Sequence, residues 1–184
     1  CNELRDTDTG KIVSISGWIH RKRDHGNLLF VDLRDHYGIT QCVVDKTNNE
    51  ILDLIDSLRV ESVVQISGVV VERKDDTINP ALETGRIEIS IESIKVFSKA
   101  SELPMPVFGD HDYAEDIRLK YRFLDVRREE VHKNIVLRSS VISHIRKLMV
   151  ESGFLEMQTP ILTASSPEGA RDYLVPSRLH PGQF

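Results

Sequence analysis

Five short β-rich runs, with one amphipathic helix inserted after the third, constrain this chain more than any other feature. The runs cover residues 11–20, 28–34, 39–45, 62–73 and 86–97. Polar breaks, Asp24-His25-Gly26-Asn27 and Asp35-His36-Tyr37-Gly38, separate the first three, as strand-to-strand connections do. Residues 49–58 place Ile51, Leu52, Ile55 and Leu58 on one helical stripe, with asparagines at its start to cap it.

Three strands, a helix and two strands is the order of a five-stranded oligonucleotide-binding (OB) barrel, whose face over strands 2 and 3 binds single-stranded nucleic acid. Alternation sharpens the expectation. Leu29, Val31 and Leu33 fall on one face of the second strand, and Leu28, Phe30, Asp32 and Arg34 on the other. The first set suits a barrel interior and leaves Phe30 facing out. Gln41 shares a face with Val43 in the third strand, and Glu88, Ser90 and Glu92 oppose Ile87, Ile89 and Ile91 in the fifth. A ring, an amide and a carboxylate together suit an RNA reader: bases stack on the ring and their edges bond the polar groups. The cations Arg21-Lys22-Arg23 are expected on the loop joining the first two strands, where they would meet phosphates.

Past the barrel the grammar changes. Residues 99–116 carry Pro104, Pro106 and Gly109 without a helical stripe and read as a linker. Residues 128–152 place Val131, Ile135, Val141, Ile142, Ile145, Leu148 and Met149 at helical spacing, and Gly153 is placed to end the helix. Residues 154–162 read as extended, with Pro160 closing the run. The net charge of −5 excludes a protein that coats nucleic acid by bulk charge, so any such contact needs a local basic patch. Cys1 and Cys42 are too few for a disulfide framework, and Cys42 reads as a small buried hydrophobe. No apolar run is long enough for a membrane-spanning helix.

Longer strings carry a resemblance. Gly17-Trp18-Ile19-His20-Arg21-Lys22-Arg23-Asp24-His25-Gly26-Asn27-Leu28-Leu29-Phe30-Val31-Asp32-Leu33-Arg34-Asp35 resembles the anticodon-binding domain of class IIb aminoacyl-tRNA synthetases, the aspartate, asparagine and lysine enzymes. Arg118-Leu119-Lys120-Tyr121-Arg122-Phe123-Leu124-Asp125-Val126-Arg127-Arg128 resembles the opening of their catalytic domain. The long helix followed by Phe154-Leu155-Glu156-Met157-Gln158-Thr159-Pro160 is similar to class II motif 1, which builds a homodimer interface. The string from Thr163-Ala164-Ser165-Ser166-Pro167-Glu168-Gly169-Ala170-Arg171-Asp172-Tyr173 to Arg178 looks like the mobile active-site loop of the bacterial aspartyl branch.

The resemblance implies an all-β OB domain over 1–98, a linker over 99–116 and the opening of an α+β class II catalytic domain over 117–184. It implies a cytoplasmic, homodimeric ligase that uses ATP and Mg²⁺ to join L-aspartate to tRNA(Asp) through an aspartyl-adenylate. By matched position Phe30 stacks an anticodon base, Arg23 and Gln41 bond it, and Asn79 and Glu88 read the remaining bases. His25 stands where enzymes that charge only aspartate tRNA tend to carry leucine, which implies that tRNA(Asn) is charged as well. Glu168 would approach the ammonium of the substrate aspartate, and Pro160 would lie at the dimer interface. Catalysis in the class stabilises a pentacoordinate phosphate through arginine and Mg²⁺ rather than through a protein nucleophile. The later motifs that supply this are not in the sequence, so no catalytic residue is assigned and the chain alone is expected to be inactive. Two alternatives stay open: a free-standing OB module that binds RNA, and an asparaginyl or lysyl relative. The Glu168-to-Arg178 string argues against the second.

Overall fold

The alternation produces its strands in a computed structural model that describes residues 1–45, 47–109, 111–162 and 173–184. They are β1 (Ile12–His25), β2 (Leu28–Arg34), β3 (Ile39–Asp45), β4 (Val63–Glu72) and β5 (Ile87–Ser98), with helix α1 (Asn49–Ser57) after β3. They close in the order β1-β2-β3-β5-β4. All neighbours are antiparallel except β3 and β5, whose parallel seam pairs Cys42 with Ile89 and Val43 with Ser90. This is the expected five-stranded barrel with its helix in the expected place.

Inward positions of every strand meet in one core of Ile19, Leu29, Val31, Leu33, Cys42, Val44, Val64, Ile66, Ile89 and Ile91, to which Ile51, Ile55 and Leu58 are added from α1 and its C-cap. Each such side chain stabilises the fold by roughly 1.5–3 kcal/mol relative to exposure. The Asn48 side chain accepts the Ile51 N–H at 3.4 Å and caps α1, as expected. Two glycines let the barrel coil tightly. A Cβ at Gly17 would lie 2.3 Å from the Arg34 carbonyl oxygen, and one at Gly68 would lie 1.9 Å from that of Ser90. Cys42 is buried, and burial pushes its thiol well above the ordinary range.

One expectation is corrected. The cations Arg21, Lys22 and Arg23 are not on a loop; they lie in β1, paired with Asp32, Val31 and Phe30 of β2. A register shift between Ile19 and Arg21 lets the ribbon continue, and the turn shrinks to Gly26 and Asn27. Gly26 has φ +62, the left-handed conformation that a two-residue hairpin turn requires.

Residues beyond β5 form a second, smaller core. Met105, Val107 and Leu124 are buried, packed by Leu103, Tyr113, Ile117 and Tyr121. Helices α2 (Glu115–Lys120) and α3 (Arg122–Asp125) follow, and Asp125, fully buried, accepts from Arg118, Arg122 and Arg128. The proline-rich stretch over 99–116 therefore includes buried anchors and is not a bare tether. Cys1–Val131 form one compact unit and His132–Phe184 a second.

The second unit contains most of α4 (Glu129–Glu151). Gly153, at φ +89, ends the helix: the Phe154 N–H donates to the Met149 carbonyl and the Gly153 N–H to that of Val150, both at 3.0 Å. This crossed pair satisfies carbonyls that the helix leaves free. Ile135, Val141, Ile142, Ile145, Leu148 and Met149 are all at least 38% exposed. Residues 154–160 follow without joining any ladder among the described residues.

Candidate nucleic-acid interface

The hairpin of β1 and β2 fixes the centre of the candidate site. Cross-strand pairing sets Arg23 opposite Phe30, and Phe30 opposite Val43 of β3. The outward alternation leaves the Phe30 ring half-buried. The Arg23 guanidinium sits 5.9 Å from the ring centre, within cation–π range. The exposed His25 ring meets Phe30 edge-on at 5.7 Å. One ring thus has both a cation and an imidazole against it.

A chain of polar bonds runs sideways from Arg23 across three strands. Its Nη2 donates to Asp32 Oδ1 at 2.7 Å and to Gln41 Oε1 at 2.9 Å. Gln41 Nε2 donates in turn to Glu88 Oε2 at 2.6 Å, and this bond fixes which end of the amide faces which partner. Gln41 itself is nearly covered, at 7% exposure. The reason is its place on β3, flanked by β2 and β5, with the side chains of Arg23 and Glu88 closing over it.

Arg73, just past β4, was not singled out from sequence. It is buried, donates through Nε to the Ile87 carbonyl at 2.9 Å, and approaches Glu88 at 3.9 Å. Burial lowers its proton affinity, against the pull of Glu88 and Asp32. A charged residue at a strand end gives no local hint that it will fold under the sheet's edge. Its Nη2 and the Nε of Arg23 are buried without a hydrogen-bond partner among the described residues. Such donors are costly when unmet.

The other expected residues fall elsewhere. Asn79 lies on the connection from β4 to β5 and bonds within it: its N–H donates to the Gly85 carbonyl, and its Oδ1 accepts from Ala81 at 3.0 Å. Pro160 is exposed. Glu168 and Arg171 lie outside the described residues. Arg23, His25, Phe30, Gln41 and Glu88 are therefore brought together, and Asn79 is not shown touching them. Among the described residues no group of three or more His, Cys, Asp or Glu could hold a metal ion, and no helix is long and apolar enough to cross a membrane.

Comparison with known proteins fits this geometry. Residues 13–97 match the OB-fold nucleic acid binding domain family described as tRNA anti-codon. Residues 114–184 match the class II tRNA synthetases (D, K and N). The whole chain is 61% identical to an aspartate–tRNA(Asp/Asn) ligase of Phenylobacterium zucineum and to one of Pelagibacter ubique, spanning 31% of the length of each. Among solved structures, an asparaginyl-tRNA synthetase from Pyrococcus horikoshii aligns with a TM-score of 0.79 at 27% identity, over 92% of this chain and 38% of its own. An aspartyl-tRNA synthetase from Entamoeba histolytica aligns at 0.77 and 23% identity, over 89% and 39%, and supports the fold.

Proposed function

We propose, from the match of residues 114–184 to the class II tRNA synthetases of the D, K and N group and the 61% identity to ligases of which the chain spans 31%, that the protein carrying this chain is a member of that group and a ligase that attaches L-aspartate to tRNA(Asp) and tRNA(Asn). The chain's part is to read the anticodon with the barrel. One observation supports this above others: the face that presents Phe30 with Arg23 and His25 against it belongs to a chain that is, over its own length, 61% identical to ligases named for those two tRNAs.

In this reading an anticodon base stacks on Phe30, contributing about 1–3 kcal/mol. Arg23, Gln41 and Glu88 are held in one bonded row, so the donors and acceptors offered to base edges are set before RNA arrives, which reduces the cost of ordering them. Asn79 reads a further base from its loop, and the exposed Arg21 supplies phosphate attraction. His25 tunes the third anticodon base, the one at which the two tRNAs differ. Glu168 bonds the substrate's ammonium. The apolar face of α4 and Pro160 pair with a second copy. ATP supplies the adenylate chemistry of the cytoplasmic ligase, together with Mg²⁺. The described residues offer no metal-holding cluster, so no step is assigned to them through that ion.

Charging transcripts of both tRNAs with the full-length protein tests the reading. Comparable aspartylation of each is expected, and His25→Leu should select against tRNA(Asn). A wild-type protein that charges only tRNA(Asp) would reject the relaxed specificity, and one that charges neither would reject the ligase.

A further inference from the structure

Glu61 sits where no simple loop residue would. Among the described residues it is the one non-glycine residue with a left-handed backbone, at φ +66, and its side chain is only 3% exposed. A strained, buried carboxylate persists only where its surroundings over-determine it. Those surroundings are two arginines from distant parts of the chain. Arg34, the last residue of β2, donates Nη2 to Oε1 at 2.6 Å. Arg127, just past α3, donates Nη1 to Oε2 at 3.0 Å. The Glu61 N–H is itself bonded to the Ile19 carbonyl at 2.8 Å, so the carboxylate is tied to β1 through its own backbone.

Each arginine is held again by an aromatic group. The Arg127 guanidinium stacks 4.8 Å from the Trp18 ring centre. The second Arg34 nitrogen lies 2.8 Å from His20 Nδ1. A guanidinium can only donate, so that ring nitrogen accepts and the imidazole is neutral. Burial, then the charge of Arg34, lowers the proton affinity of His20 in agreement. The His20 ring also meets the Phe108 ring, edge-on, at 5.2 Å between centres. Arg34 shares the outward alternation of Phe30 and Asp32 on β2. The strand that carries the stacking ring thus ends in this cluster.

We propose that Glu61 is a positioning residue: by bridging Arg34 and Arg127 it locks the RNA-reading strand to residues 122–128. An inference of this kind rests on the ligase reading, because its consequence is that tRNA gripped by the barrel reaches chemistry done elsewhere in the protein only through a fixed connection. Glu61 touches no base in this account. It acts through Arg34 and Arg127. Removing its charge leaves the half-buried Arg34 and the more exposed Arg127 without the buried carboxylate that joins them, which loosens the connection more than it alters the face.

The test uses the full-length protein with Glu61→Gln, Arg127→Met and Arg127→Lys. Four quantities are read: affinity for an anticodon-arm hairpin, kcat and KM for charging whole tRNA, aspartate-dependent pyrophosphate exchange without tRNA, and hydrogen exchange over residues 122–128. For Glu61→Gln and Arg127→Met, kcat for whole tRNA should fall roughly tenfold or more, with hairpin affinity and pyrophosphate exchange within about threefold of wild type. Arg127→Lys should recover part of the loss. Hairpin affinity falling in step with charging would overturn the proposal in favour of a role confined to the RNA face, and unchanged charging would overturn it outright. If Glu61→Gln does not fold, the two Arg127 variants decide. If wild-type protein charges no tRNA with aspartate, the ligase reading fails separately. Hydrogen exchange then decides this one: faster exchange over 122–128 at unchanged hairpin affinity upholds the lock, and unchanged exchange removes it.

Discussion

The barrel and α4 carry the same kinds of apolar side chain and use them in opposite ways. Ile19, Ile66 and Ile89 are fully buried by strands that close on one another, whereas Ile135, Ile142 and Ile145 stay at least 38% exposed. Alternation in a sheet that curls shut supplies its own cover. A lone amphipathic helix has a pattern but no surface to match it. Burial in the first case is a property of the chain; in the second it depends on what else is present.

The largest expected effect would break this contrast or confirm it. Ile66→Ala in the barrel should cost about 2–5 kcal/mol in urea unfolding, against under about 1 kcal/mol for Ile145→Ala in this chain as a monomer. A cost at Ile145 equal to that at Ile66, measured at a concentration where the chain is shown to be monomeric, would mean that α4 has cover of its own. Next in size, Phe30→Ala should weaken tRNA binding by roughly ten- to a hundred-fold in a filter-binding titration, with circular dichroism unchanged. Unchanged affinity would remove Phe30 from the face.

A smaller effect separates the three cations of β1. Lys22 Nζ bonds the carbonyls of Ile55, Asp56 and Leu58 at 2.7–3.2 Å, at the end of α1. Burial lowers its proton affinity, and Asp56 opposes that shift. Lys22→Met should cost on the order of 1–2 kcal/mol of stability while leaving the salt dependence of RNA binding as it was. Arg21→Ala should instead reduce the salt slope by about one with no change in stability. A reduced slope for Lys22→Met would place it among the phosphate contacts.

The gentlest test is acid. Burial raises the Asp125 carboxyl, but its bonds from Arg118 and Arg128 and the charge of Arg122 outweigh this and hold it below the ordinary carboxylate range. A depressed folded value contributes stability that is present above the unfolded pKa of about 3.9 and is lost as pH falls through the folded one. Tyrosine signals from the small core around Tyr113 and Tyr121 should therefore weaken below about pH 4, and Asp125→Asn should flatten that dependence. A Tyr signal equally acid-sensitive in Asp125→Asn would put the titration elsewhere.

Local chemistry was the legible part of the sequence. Alternation gave the inward faces of β2 and β5, Asn48 and its neighbour marked the start of α1, and Gly153 marked the end of α4. Each needs only neighbours within a turn or two. What stayed hidden depends on residues far apart in the chain. The burial of Gln41 is decided by Arg23 and Glu88, the ion pairs of Glu61 by Arg34 and Arg127, and the packing of Met105 and Val107 by Leu124. The length of β1 was missed because its charged end reads as a loop until pairing with β2 is known. For the site, the family string over residues 17–35 put Phe30 and Arg23 in view and matched position added Gln41, while Arg73 carried no motif of its own.

The parallel seam between β3 and β5 bears on how the barrel comes together in time. The β1–β2, β2–β3 and β4–β5 ladders join strands that are neighbours in sequence, and β1–β4 closes a comparably wide loop over seven pairs, whereas β3–β5 closes one for only Cys42–Ile89 and Val43–Ser90. Closing so wide a loop for so short a ladder is slow and returns little until it is complete. The seam is therefore expected to form late in folding and to open early in unfolding, with folding φ-values near zero at Ile89 while those along the β1–β2 hairpin are high. A barrel built this way owes its lifetime, as distinct from its stability, to its shortest join.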